Sequence, residues 1–222
     1  STPPQQVIHI QTVDPGIPLT NLNIIYQIES DPNHRPRIKL EDTQLVILGG
    51  VLAVEPVTID PLSGDANITL TLNDIDLKRF FDSIEIDGLE GEGHLDGRIP
   101  IRLHDHQITI DNSRLMAKSP GILRFQSEKA SQMLANAGAE MNLVLDALQD
   151  FHYSELSLTI DKSAVHDLTA TLLLLGQNPA VKEGQMIQLN INLESNLDKI
   201  LKAISLGYSV SNEILKDLFR QD

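Results

Sequence analysis

The stretch IQLNINLE, Ile187–Glu194, decides the fold. Ile187, Leu189, Ile191 and Leu193 alternate with Gln188, Asn190, Asn192 and Glu194, a period of two. Successive side chains of a strand point to opposite faces, so the stretch makes a strand with one apolar and one wet face. A helix would scatter the same residues around its circumference. The pattern recurs upstream. Leu22, Ile24, Tyr26 and Ile28 alternate with Asn23, Ile25 and Gln27. Ile68, Leu70 and Leu72 alternate with Thr69 and Thr71, Ile99, Ile101 and Leu103 with Pro100 and Arg102, and Leu156, Leu158 and Ile160 with Ser157 and Thr159. One-sided strands of this kind belong to antiparallel sheet solvated on one face. Turn signals separate them at short intervals: Asp31-Pro32-Asn33, Gly49-Gly50, Ser63-Gly64-Asp65, Asp96-Gly97, Ser119-Pro120-Gly121 and Gly176-Gln177-Asn178-Pro179. The expected fold class is therefore mostly β (α+β), a strongly curved antiparallel sheet with two or three helices. Two runs break the alternation, Leu45–Val54 (LVILGGVLAV) and Leu172–Leu175 (LLLL). Read as strands, they are apolar on both faces and require cover on both.

Helical spacing is confined to a few segments. Glu128–Leu148 follows a Ser127 cap and carries Met133, Leu134, Ala137, Met141, Val144, Leu145 and Leu148 as one stripe, with Gly138 in its middle. That helix should lie against or inside the sheet. Shorter helices are expected at Leu77–Asp82, capped by Asp76, at Leu197–Ser205 and at Glu213–Gln221.

The 222 residues carry 17 Lys+Arg against 31 Asp+Glu, a net charge of −14. Such a chain repels nucleic-acid backbones and offers no basic patch to anionic lipid surfaces. With no cysteine, disulfides, zinc–thiolate sites, iron–sulfur clusters and cysteine nucleophiles are excluded. Aromatics are 4% with no Trp, so core and ligand surface alike must be built from Ile, Leu and Val. Leu45–Val54 is the longest apolar run, half of the roughly 20 residues a spanning helix needs. The chain opens on Ser1 with a loose STPPQQ lead and no leader pattern, and reads as a piece of something longer.

No catalytic constellation emerges, and the chain is not expected to be an enzyme. The G-x-S-x-G elbow, the phosphate-binding glycine motifs and His-Glu-x-x-His are all absent. His104-Asp105-His106 places two imidazoles on one side of a strand, but no third ligand accompanies them, and no metal is expected. The acids between Asp82 and Asp96 fail as a calcium loop, because Ile84 and Ile86 stand where side-chain oxygens are required. No cofactor is implied.

Leu89-Glu-Gly91-Glu-Gly93-His-Leu95-Asp-Gly97-Arg-Ile99-Pro100-Ile101 resembles the L-x-G-x-G-x-L-x-G-x-I/V-P-I/V segment of AsmA-like proteins. Ser119-Pro120-Gly121, then Phe151-x-Tyr153, then Gly176-x-Asn178-Pro179 follow in an order similar to the C-terminal region of the YdbH family, also labelled a "dicarboxylate transport" domain. The match covers roughly residues 65–205, and residues 1–60 carry no recognised motif. The resemblance implies one AsmA-like groove domain over 1–222, a β-taco with an open hydrophobic groove. It also implies periplasmic location in Gram-negative bacteria, in a parent chain anchored in the inner membrane. The cargo so implied is phospholipid, its acyl chains carried between the two membranes, with a small outer-membrane lipoprotein as partner. The groove candidates are Leu172, Leu174, Leu189, Ile191 and Leu193. The alternatives are a structural or assembly adaptor that pairs with a partner by strand addition, and a small-anion (dicarboxylate) accessory. No Arg/Lys cluster is present to grip two carboxylates. For strand addition the candidate edge is the uncharged strand around Val7–Val13, with Ile8, Ile10 and Thr12.

Overall fold

The computed structural model describes residues 4–195, apart from positions 15, 16, 85, 86, 106, 129, 130, 133–137 and 164–167. The helices expected at Leu197–Ser205 and Glu213–Gln221, and His106, lie outside the described residues.

The elements run β1 (Gln6–Val13), β2 (Leu19–Ser30), β3 (Pro36–Ile47), β4 (Gly50–Val54), β5 (Val57–Ile59), β6 (Ala66–Asp76), α1 (Leu77–Ile84), β7 (Leu89–Glu92), β8 (His94–His104), β9 (Gln107–Ile110), β10 (Arg114–Ala117), β11 (Gly121–Phe125), α2 (Ala139–Leu148), β12 (Phe151–Asp161), β13 (Leu168–Gln177) and β14 (Ile187–Ser195). All fourteen strands join one antiparallel sheet. It is open, with β1 paired only to β2 and β14 only to β13 among the described residues. Its path is a meander in which each strand line pairs with the next. Some lines are interrupted. Pro56 stands between β4 and β5, which both pair with β3. Gly93 divides β7 from β8, and Ser119-Pro120 divides β10 from β11. A proline cannot donate to the ladder, so the pairing lapses there and resumes beyond it.

Two apolar runs resolve differently from expectation. Leu45–Val54 is a hairpin, not one strand: Ile47 pairs with Gly50, and Leu48 and Gly49 turn with φ of 50° and 80°. Both central residues at positive φ make the turn that matches strand twist. In the LLLL run, Leu172 and Leu174 share the apolar face, while Leu173 and Leu175 are half-buried beside Ser157, Asn190, Glu155 and Gln188. The expected cover on the second face is not needed, because polar cross-strand neighbours flank each leucine.

The expected 128–148 helix is broken. Glu128, Ser131 and Gln132 are helical, but Gly138 sits at φ 102°, ψ 168°, a conformation glycine adopts without steric cost. The chain restarts at Ala139 as α2. Val144, Ala147 and Leu148 of α2 pack into the core and Met141 faces out. Asp76 caps α1 as expected, accepting from the Lys78 and Arg79 amides at 2.8 and 3.2 Å.

The buried core gathers at one end of the strand lines. Leu77 of α1, Ala147 and Leu148 of α2, and Phe151, Tyr153, Leu123, Leu95 and Ile75 of the sheet form one cluster there. Glycines make it possible. The Tyr153 ring lies across the sheet over Gly121 and Gly93, where a Cβ on either would collide with its hydroxyl. Phe81 of α1 occupies the space over Gly91 in the same way. The Tyr153 hydroxyl donates to the Glu92 carbonyl at 2.8 Å, which ties β12 to β7 across the intervening β11. Asn178, also buried, donates to the Asp146 and Ala147 carbonyls at 3.0 and 3.3 Å and so satisfies the C-terminus of α2.

Two outcomes follow for Tyr153. Gly121→Ala should destabilise by about 1–3 kcal/mol through overpacking, more than Tyr153→Phe, which should cost about 1 kcal/mol by orphaning one hydrogen bond. Urea denaturation of the two variants measures the order. Burial, with the Glu92 charge, also pushes the Tyr153 phenol above its ordinary value of 10.0. The fold therefore favours the neutral phenol. Its contribution is complete below pH about 10 and is lost as pH rises beyond that value, where the unfolded chain releases a proton that the folded chain retains. Urea midpoints measured up the alkaline range should fall less steeply for Tyr153→Phe than for the parent.

Candidate functional site

Register assigns every strand residue to a face, since directly opposed residues of an antiparallel pair share one. Starting from Leu189, the chain of partners runs Leu189–Leu174–Leu156 across β14, β13 and β12, and Ile191–Leu172–Leu158–Leu115–Gly97 across β14, β13, β12, β10 and β8. From β8 it continues Ile99–Leu70–Val54 and Gly97–Leu72–Leu52–Leu45 into β6, β4 and β3. Leu40 and Ile38 of β3 stand opposite Tyr26 and Ile28 of β2, and Ile24 and Leu22 of β2 stand opposite Ile8 and Ile10 of β1. One face of the sheet is thus largely aliphatic, with Thr43 standing between Val54 and Ile24 and with Gln6, Thr12 and Thr20 toward the β1 edge. No residue whose cross-strand partner places it on this face is charged; Glu41 and Asp74 fall at register shifts. The opposite face carries Lys39, Arg98, Arg102, Arg114, Thr71, Asn190 and their like.

Cover on the aliphatic face is uneven. The helices meet the sheet at the plugged end, α1 chiefly against β6 and β7, α2 against β11. Away from that end the same face is only half-buried. Ile24, Leu40, Leu45, Leu52, Ile68, Leu70 and Ile101 all keep part of their surface open. Ile28 is 49% exposed, Ile8 41% and Ile10 36%. Side chains standing shoulder to shoulder, with no described helix laid over them, give this intermediate burial.

The five groove candidates do share this face, but their surroundings differ. Leu174 is fully buried and Leu189 nearly so, and both belong to the core under the plug. Leu172 and Ile191 are partly buried and border that core. Leu193 is paired with Ala170. Alternation alone could not separate these cases, because distance from the plug is not written in a period of two. Conversely, Leu45, Leu52, Leu70 and Ile101 went unmarked as surface. The sequence signal that could have found them was the same alternation, continued upstream.

Ile8, Ile10 and Thr12 lie on β1, the free edge opposite β14. Of the histidine motif, His104 pairs with Asp65 through Nδ1 at 2.9 Å and faces Asp105 through Nε2 at 3.5 Å, all three residues being exposed. Each ring nitrogen faces a different carboxylate, and the structure brings ligand atoms of Asp65, His104 and Asp105 within 4.8 Å of one another, a grouping that spacing alone did not show.

Charge elsewhere is organised in pairs. Arg98 grips Glu55 with both ends of its fork, at 2.7 and 2.9 Å, and that hydrogen bond holds the Glu55 carboxyl below its ordinary range. Lys118 reaches Asp74 at 2.9 Å, with the same effect on Asp74. Arg124 bridges Glu92 at 3.0 Å and Asp150 at 2.9 Å, and the Asp150 carboxyl is lowered first by its bond to His152 and then by Arg124. The Lys118 and Arg124 pairs pin the plugged end from outside, while Arg98–Glu55 ties β8 to the residue after β4 across β6.

No described helix is long and apolar enough to cross a membrane. No curated protein and no solved structure matches the chain at a significant level. A family model does match, over residues 1–218, and its description is intermembrane phospholipid transport protein YdbH. That span extends the resemblance seen at 65–205 across the first five strands, where no motif had been recognised. With its glycine ladder, its Tyr153 lock and one aliphatic face running through β1 to β14, the chain belongs to the YdbH-like family.

Proposed function

We propose that the aliphatic face is a groove that carries phospholipid acyl chains. The observation that carries this reading is a largely aliphatic surface that runs through the sheet and that, among the described residues, the helices cover only at one end. Acyl chains need dry area rather than directed hydrogen bonds, and each CH₂ buried against such a face contributes about 0.8 kcal/mol. The family's description as an intermembrane phospholipid transport protein supports the same cargo. The chain acts as a binding and conducting module without turnover, as one groove domain over 1–222. It works in the periplasm as part of a parent protein anchored in the inner membrane, beside a small outer-membrane lipoprotein. Leu172 and Ile191 border the plug, Leu193 continues their row by register, and Leu45, Leu52, Leu70 and Ile101 line the open stretch.

Site-specific photocrosslinking in cells tests this. A benzophenone amino acid at Leu70 or Ile101 should yield phospholipid adducts, and one at Thr71 or Asn190, on the other face, should not. Equal labelling of both faces, or of neither, would overturn the groove.

A second reading rests on β1. Among the described residues this strand is paired on one side only, and it exposes Val7, Ile8 and Ile10. It is the edge through which a further strand would extend the same aliphatic face, by β-augmentation. Amides of Ile8, Ile10 and Thr12 point to one side of the strand, and those of Val7, His9 and Gln11 to the other. Proline in one set should break β1 from β2 and destabilise the sheet. Proline in the other should leave stability unchanged yet abolish function of the full-length protein. If both sets leave stability and cellular function intact, strand addition at this edge is wrong.

A further inference from the structure

We infer that His104, Asp105 and Asp65 form a binding site for a divalent transition cation, with zinc as the best fit. The backbone brings them together from two places in the chain. Ala66 of β6 pairs with Leu103 of β8, so Asp65, just before β6, arrives beside His104, the last residue of β8. Asp105 follows at once, its backbone at φ 49° in the turn toward β9. Ligand atoms of all three lie within 4.8 Å of one another. Among the ion pairs of the described residues, neither carboxylate meets a lysine or an arginine, and each faces only the His104 ring. Arg102, two residues back along β8, is engaged by Asp111 at 3.7 Å. Two negative charges thus share a single imidazole.

The ring is arranged for a metal, not for a second hydrogen bond. Nδ1 lies 2.9 Å from an Asp65 carboxylate oxygen, so the proton of a neutral ring sits on Nδ1 and is donated to Asp65. Nε2 then carries a lone pair, and it faces an Asp105 carboxylate oxygen at 3.5 Å. Two acceptors confront each other there, and the separation exceeds the roughly 3.2 Å reach of an N–H···O hydrogen bond. It matches two ligands on one tetrahedral ion, since ligands about 2.0–2.1 Å from zinc stand about 3.3–3.4 Å apart. Asp65 behind Nδ1 takes the part of the outer carboxylate that fixes tautomer and ring orientation in metal-binding histidines. An imidazole nitrogen beside a carboxylate oxygen suits Zn²⁺, Cu²⁺ or Ni²⁺ better than Mg²⁺ or Ca²⁺, which prefer oxygen alone. All three residues are exposed, so water completes the coordination. A bound ion ties the turn before β6 to the turn after β8, at the end of the sheet away from the helices.

The test uses the whole chain, stripped of metal with a chelator, and zinc chloride as the probe. The sequence has no cysteine, so no thiol competes for the ion. At pH about 8, where an ordinary imidazole is neutral, nitrogen NMR of the rings should show His104 as the Nδ1–H tautomer, and zinc should shift its Nε2 resonance. Calorimetry should find the tightest zinc site at one ion per chain, and magnesium chloride at the same concentration should give no signal. His104→Ala and Asp105→Asn should each abolish that site. Asp65→Asn should weaken it by about 10–100-fold, the effect of losing an outer partner. His34→Ala, on another turn, should leave it unchanged. The substituted positions are exposed, so each variant should fold like the parent, which circular dichroism checks. No zinc binding, binding that survives His104→Ala, or a His104 ring held as Nε2–H and blind to zinc overturns the inference. None of these results touches the groove reading.

Discussion

Everything at the plugged end depends on one phenol laid over two glycines. Tyr153 can reach the Glu92 carbonyl only because Gly93 and Gly121 leave no side chain in its path. Its ring then bars water from the floor beneath, and Phe81 does likewise over Gly91. Helices α1 and α2 settle around this anchor, with Asn178 holding the last carbonyls of α2. Remove the anchor and the aliphatic face would have no defined end. An open sheet apolar on one side is otherwise a surface without a boundary, and nothing in the alternation of its strands says where it should stop.

The motifs that carry the resemblance therefore do a job distinct from carrying cargo. Gly91, Gly93, Gly97, Gly121, Phe151, Tyr153, Gly176 and Asn178 all converge on the plug or its margins. On the groove reading proposed above, cargo contact falls to Ile, Leu and Val at positions with no spelling beyond a period of two. Tight packing demands particular residues, whereas an acyl chain asks only for area, and many aliphatic side chains supply it equally well. This is why the family is readable from its structural lock and its working surface is not.

Much of the fold was legible. The alternation in Ile187–Glu194, Ile68–Leu72 and Ile99–Leu103 predicted strand, face and antiparallel sheet, and each is found. What escaped was of three kinds. The Leu45–Val54 run carried two readings, a strand apolar on both faces and a turn at Gly49-Gly50, and the turn is the one found, with Leu48, no usual turn residue, as its first central residue. The stripe through 128–148 hid a break, because Gly138 costs a helix only modestly and composition cannot tell a tolerated glycine from a hinge. Burial of Leu174 against the half-exposure of Leu172 depends on where α2 lands, a tertiary fact absent from any local pattern.

The meander has a consequence for how the molecule comes into being. Each strand line lies beside the one made just before it, so no segment must wait for a distant partner before it can pair. Such a chain can fold vectorially, strand upon strand, as it emerges from a ribosome or a translocation pore, with one unpaired edge advancing like the end of a knitted row. The same order makes length cheap to change. A hairpin inserted or deleted anywhere along the row shifts its neighbours without rethreading them, so descendants of one gene can span wider or narrower gaps while keeping a single dry face unbroken.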